Sequence, residues 1–104
     1  MLNYNNAAAA LKYLLDTDEE AARAKVLYEG LYEQRKTIRA VQFLNATGSA
    51  AERTEKASVE YQEHLGLIRD AHIEFEILKN KRGTNTALMD MWRSVNSNQK
   101  KGNI

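Results

Sequence analysis

The chain contains no proline in 104 residues. Proline breaks helices and marks loops and turns, so its absence points to long uninterrupted helices with short connections. Cysteine is absent as well. That removes disulfides, thiolate metal sites and cysteine nucleophiles from consideration and is compatible with a reducing compartment. The length suits one domain. The apolar stretch over Ala7–Leu11 and Tyr13–Leu15 is too short to span a bilayer, and no basic region precedes it.

Cap and stop signals divide the chain into four expected helices. The first runs over Asn6–Leu15, with Asn6 as its N-cap. Thr17-Asp18-Glu19-Glu20 has the form of a capping box opening a second helix, and its acidic first turn suits the positive end of the helix dipole. Thr47-Gly48 stops that helix near Ala46, glycine taking the position where positive φ is cheap. Ser49-Ala50-Ala51-Glu52 is a second capping box, so one or two residues turn the chain and the neighbouring helices are antiparallel. The third helix runs to Arg82 and stops at Gly83. A short fourth follows Thr84-Asn85-Thr86, over about 86–95, with Leu88, Trp92 and Val95 on one face. The fold class is therefore all-α: a long antiparallel helical hairpin (about 18–46 and 50–82) with a short helix at each end, assembling into a helical bundle. The domain covers 1–95, and 96–104 is a flexible basic tail.

Spacings of three and four place Ala24, Leu27, Leu31, Gln34, Ile38 and Val41 on the seam of the second helix. The third helix matches them with Ala57, Tyr61, His64, Ile68, Ala71, Phe75 and Leu78. Gly30 inside the second helix allows either a close helix approach or a bend. Apolar residues outside these stripes would stay wet in an isolated hairpin. Tyr28, Tyr32, Phe43, Leu65, Ile73 and Ile77 are therefore the expected oligomer interface of a dimer or larger assembly.

Candidate chemistry is sparse. His64 and His72 have Glu60 and Glu76 one turn away, but the spacing is four rather than three and the facing seam offers no inward carboxylates, so packed histidines are expected and no metal or other cofactor. Carboxylate runs such as Asp18-Glu19-Glu20 read as caps and solvated faces. No phosphate loop, nucleophile elbow or zinc-protease motif is present. An enzyme is not expected. Charge is the functional lead. Residues 1–78 carry nine Lys/Arg against 13 Asp/Glu, whereas 79–104 carry six against one, a net of +5. Lys79, Lys81, Arg82, Arg93, Lys100 and Lys101 are the first candidates for phosphate contacts, and Arg35, Lys36 and Arg39 the second. Trp92, on an apolar face, is expected to anchor the last helix.

Three stretches carry a family resemblance: Arg35-Lys36-Thr37-Ile38-Arg39-Ala40 through Phe43-Leu44, Gly48-Ser49-Ala50-Ala51-Glu52-Arg53, and Trp92-Arg93-Ser94. Across about Ala21 to Gly102 the chain resembles small, functionally uncharacterised proteins of tailed bacteriophages and prophages, whose genes accompany those for recombination and single-strand DNA handling. The resemblance supplies no catalytic residues. It implies a bacterial-cytoplasm setting and an accessory role in DNA recombination or replication. The competing expectation is a protein-interaction module with no DNA binding, such as a host-factor inhibitor, an adaptor or a small virion component.

Overall fold

A computed structural model describes residues 3–102, with side chains described through 98. It contains three helices: α1 Tyr4–Glu33, α2 Arg35–Asn45 and α3 Ala50–Gly102. The class is all-α, a long helix pair with one short helix, as the pattern of caps and stripes predicts.

The first difference lies at the N-terminal cap. Asn3 and Asn6 form a reciprocal pair, each side-chain oxygen accepting the other's backbone N–H at 3.1 and 3.0 Å. Asn3 is the N-cap and Asn6 occupies the third helical position, so the cap sits three residues earlier than expected and has the reciprocal form of a capping box. The second difference is at Thr17, which opens no helix. Its hydroxyl donates to the Tyr13 carbonyl one turn back at 2.7 Å, and α1 passes through it. The expected break at 16–17 fails because capping residues are also tolerated inside a helix when the side chain bonds to the i−4 carbonyl.

The interruption comes instead at Gln34, between α1 and α2, with φ −80° and ψ −5°. It is a local unwinding rather than a break. The Gln34 N–H still donates to the Gly30 carbonyl, and the Ile38 N–H donates to that of Gln34. Gly30 itself is helical, and a Cβ there would meet nothing within 4 Å, so it serves no close approach.

The turn comes where the sequence places it but takes four residues, 46–49, rather than one or two. Gly48 has φ +110°, the single positive-φ residue among those described. Ser49 Oγ accepts the Glu52 N–H at 3.2 Å. Lys56 Nζ ties the turn down by donating to the Thr47 carbonyl at 2.9 Å.

α3 does not stop at Gly83. Thr84, Asn85 and Thr86, expected as a turn with caps, are helical and bond back to the carbonyls of Asn80, Lys81 and Arg82. Packing overrides the stop signal. The less exposed residues of α3 include an unbroken series at 57, 61, 64, 68, 71, 75, 78, 82, 85, 89, 92 and 96. Its spacing of three and four keeps phase across Gly83. A single helical glycine costs about 1 kcal/mol against alanine, which burial of the seam beyond it offsets.

On α1 and α2 a less exposed series runs 7, 10, 14, 17, 21, 24, 28, 31, 35, 38 and 42. Ala24, Leu31 and Ile38 belong to it as expected. Leu27, Gln34 and Val41 do not: their places are taken by Tyr28, Arg35 and Gln42, and Leu27 is left 57% exposed. Both registers keep the three-and-four spacing, and Tyr28, not Leu27, is the residue that stacks on His72 and Phe75 of α3.

The chain forms two compact units. One joins Met1–Ala22 with Glu76–Ile104, the other is Arg23–Phe75. In the first, Arg82 Nη1 donates to the Leu14 carbonyl and to Thr17 Oγ1, both at 2.8 Å, and Nη2 reaches Asp18 at 3.1 Å. Tyr4 meets Trp92 edge-on with ring centroids 6.1 Å apart. In the second, Tyr28 stacks on His72 at 4.4 Å and Phe75 at 5.8 Å, and a ring nitrogen of the buried His64 lies 3.2 Å from the Leu31 carbonyl. Within each unit, rising numbers on α1 or α2 pair with falling numbers on α3, which is antiparallel packing. The core is thin: Ala7, Ala10, Ala57, Ile68, Ala71 and Leu78 are buried, but among the described residues no large side chain is completely so. No described helix is long and apolar enough to cross a membrane.

Candidate nucleic-acid interface

The structure separates the nine cations singled out from the sequence. Arg82 sits in the seam, its side chain 23% exposed and committed to three acceptors on α1. It is a structural tether rather than a free surface cation. Arg93 pairs with Asp90 at 3.6 Å on the surface. Lys79 and Lys81 are exposed, but they flank the seam position 82 from opposite sides of α3, so they do not face one ligand together. The side chains of Lys100 and Lys101 lie outside the described residues. The C-terminal quarter is strongly positive, yet its described cations do not converge.

Lys36 and Arg39 do converge on one cavity, with Arg35 beside them at a seam position. All three lie in the first five residues of α2, whose sequence RKTIRAVQFLN contains no acidic residue. The guanidiniums are held by aromatic faces. Arg35 lies over the Tyr32 ring at 3.9 Å and donates to the Tyr32 carbonyl at 2.8 Å, and Arg39 lies 5.5 Å from the Tyr61 centroid. Arg53, which the sequence did not single out, lies over Phe43 at 5.1 Å. An arginine stacked on a ring keeps its planar donors pointed outward and gives up less rotamer freedom on binding an anion. The sequence carries no signal that pairs Arg53 with a ring ten residues back.

Beside these cations is a shallow cavity of about 460 Å³, lined by Lys36, Arg39, Thr54 and Ser58 and by the apolar Ala40, Phe43, Leu44 and Ala57. It offers cations, hydroxyls and a mostly apolar lining. Two polar atoms next to this region, Gln42 Oε1 and Arg53 Nε, are buried and make no hydrogen bond among the described residues.

The other candidates resolve as packing. His64 is buried at the helix interface of its unit, His72 is exposed with its ring stacked on Tyr28, and no group of three or more His, Cys, Asp or Glu is placed to hold a metal among the described residues. Trp92 is half-buried against Tyr4. Of the residues expected at an oligomer interface, Tyr28 lies in the seam within its own chain and Leu65 is half-buried. Phe43 is under Arg53. Tyr32, Ile73 and Ile77 are 46%, 49% and 43% exposed. Comparison of the chain with protein-family models, curated proteins and solved structures finds no match.

Proposed function

We propose that this chain is a non-catalytic nucleic-acid-binding accessory protein whose contact surface is the α2 face, with single-stranded DNA as its ligand. The observation that carries the reading is the set Arg35, Lys36 and Arg39 on a helix without carboxylates, two of them stacked on tyrosines, beside a cavity with a mostly apolar lining. Cations there suit phosphates. Guanidinium planes and the edge of Phe43 suit bases, which stack without sequence preference. One of the three stretches that resemble phage proteins, residues 35–44, lines this surface, and Arg53 from a second lies over its Phe43. The setting in DNA recombination or replication of a phage in the bacterial cytoplasm rests on that resemblance.

The reading is tested by fluorescence anisotropy of labelled single- and double-stranded oligonucleotides. Single-strand affinity is expected to fall by roughly 10–100-fold between 50 and 200 mM salt, as three to five phosphate contacts imply. Absence of binding at the lower salt overturns it.

A protein-interaction role is the second reading, favoured by large apolar residues left on the surface. Leu15, Val26, Leu44 and Val59 are each more than 60% exposed. A partner protein retained after nuclease treatment, by a chain that binds no oligonucleotide, would favour this role over the first.

A further inference from the structure

Within the unit Arg23–Phe75, the seam of α1 and α2 over 24–42 faces that of α3 over 57–75. One residue turns a helix by about 100°. Residues just before seam positions therefore lie on one side of the pair, and residues just after them on the other. The grooves of the unit show that the sides agree between the antiparallel helices. Leu27 of α1 shares a groove of about 430 Å³ with Leu67, Asp70 and Glu74 of α3, and each of the four precedes a seam position. Lys36, Arg39 and Phe43 of α2 share theirs with Ser58 of α3, and each of these follows one.

The two sides carry opposite charge. The preceding side has Glu60, Glu63, Asp70 and Glu74 against Arg23 and Lys56, a net of −2. The following side has Lys25, Lys36, Arg39 and Arg69 against Glu29, a net of +3. All of these residues are exposed. None of the four carboxylates on the acidic side forms an ion pair among the described residues. Lys56 is drawn off to the Thr47 carbonyl. Each side also leaves apolar surface uncovered. Leu27 and Leu67 are both 57% exposed on the acidic side, and Tyr32 is 46% and Phe43 36% exposed on the basic side.

We infer that the acidic side of one copy of this unit seats on the basic side of a second copy, the groove between Leu27 and Leu67 receiving the edge of the second copy's α2. Asp70 and Glu74 stand one turn apart, as do Lys36 and Arg39, so two carboxylates meet two cations in register. Tyr32 and Phe43, both expected at an oligomer interface, then cover apolar surface instead of facing water. The contact joins two different surfaces. Each copy keeps one side open for the next, and assembly continues head to tail. Pairing a side with its own copy would set like charges against each other. The inference does not rest on the nucleic-acid reading, although both use Lys36 and Arg39, so a second copy and a single strand exclude each other on α2. The acidic side belongs to the assembly alone.

The test is sedimentation equilibrium of the whole chain. The weight-average mass is expected to rise with concentration past that of a dimer. Asp70→Lys/Glu74→Lys and Lys36→Glu/Arg39→Glu each set like charges across the contact, and each is expected to weaken association about tenfold or more. In an equimolar mixture of the two variants every contact between unlike copies regains opposite charges. Association is expected to return to within about threefold of that of the unmodified chain, which also shows that both variants fold. Asp70→Lys/Glu74→Lys keeps the α2 cations. Loss of its association with oligonucleotide binding retained separates this contact from the nucleic-acid reading. A chain monomeric up to about 100 μM would overturn the inference and leave the acidic groove to a basic helix of another protein. A mass that levels off at the dimer, association indifferent to both reversals, or a mixture no heavier than its components would overturn it as well.

Discussion

Substituting Gly83 by alanine separates two opposite structures for the middle of α3 by the sign of one stability change. The position is exposed and helical, and a Cβ built on it meets nothing within 4 Å. Alanine then recovers the helix penalty of glycine, about 1 kcal/mol, with no steric cost. Had the helix stopped there with glycine in the left-handed region, the same change would destabilise by about 1–2 kcal/mol. The two outcomes differ by about 2–3 kcal/mol. Gly30 and Gly66 have equally open surroundings. The triple alanine variant therefore gains about 2–3 kcal/mol if the sites act independently. For a domain of this size each kcal/mol moves the midpoint by roughly 4–8 °C. Thermal unfolding followed by circular dichroism at 222 nm reads this directly, with urea titration as a second measure. A lower midpoint for Gly83→Ala would refute the continuous helix and with it the phase argument for the seam. Gly48→Ala is the contrasting control. There φ is +110°, and a Cβ would collide with the Glu52 side chain, so a loss of about 1 kcal/mol or more is expected.

Other consequences follow from single side chains. Arg82→Ala removes three hydrogen bonds between α3 and α1 and is expected to destabilise by about 2–3 kcal/mol in urea unfolding, without weakening oligonucleotide binding at temperatures where the chain is folded. Asp18→Asn removes only the exposed end of that network and is expected to change stability by less than about 0.5 kcal/mol. Gln42→Leu replaces a seam residue whose carbonyl oxygen is buried without a donor, and is expected to stabilise by about 1 kcal/mol; a destabilised variant would show that this oxygen has a partner in solution.

The helical class, the turn at Gly48–Ser49 and the whole α3 seam from Ala57 to Leu78 were legible in the sequence, because each rests on a local rule: proline absence, a capping box, a three-and-four spacing. Thr17 and Gly83 misled for one shared reason. Both carry genuine start or stop chemistry, but the seam stays in phase across them, and tertiary packing outweighs a cap worth about 1 kcal/mol. The α1–α2 seam was read one residue early at Leu27, Gln34 and Val41, since both registers keep three-and-four spacing through Ala24, Leu31 and Ile38 and the apolar Leu27 and Val41 favoured the earlier one. Among the candidate site residues, net charge drew attention to the C-terminal quarter. Convergence is a property of three dimensions: Arg82 turned inward, Lys79 and Lys81 turned apart, and the smaller set on α2 stayed together.

The central functional claim is that α2, and not the more basic C-terminal quarter, contacts nucleic acid. Two variants with equal loss of charge decide it: Lys36→Ala/Arg39→Ala against Lys79→Ala/Arg93→Ala. Both are measured by anisotropy with a single-stranded oligonucleotide across a salt series. The account predicts that the α2 pair lowers affinity about tenfold or more and reduces the salt slope by about 1.4, the value for two phosphate contacts. The α3 pair should shift affinity by less than about threefold. Equal losses, or a larger loss from Lys79 and Arg93, would contradict it.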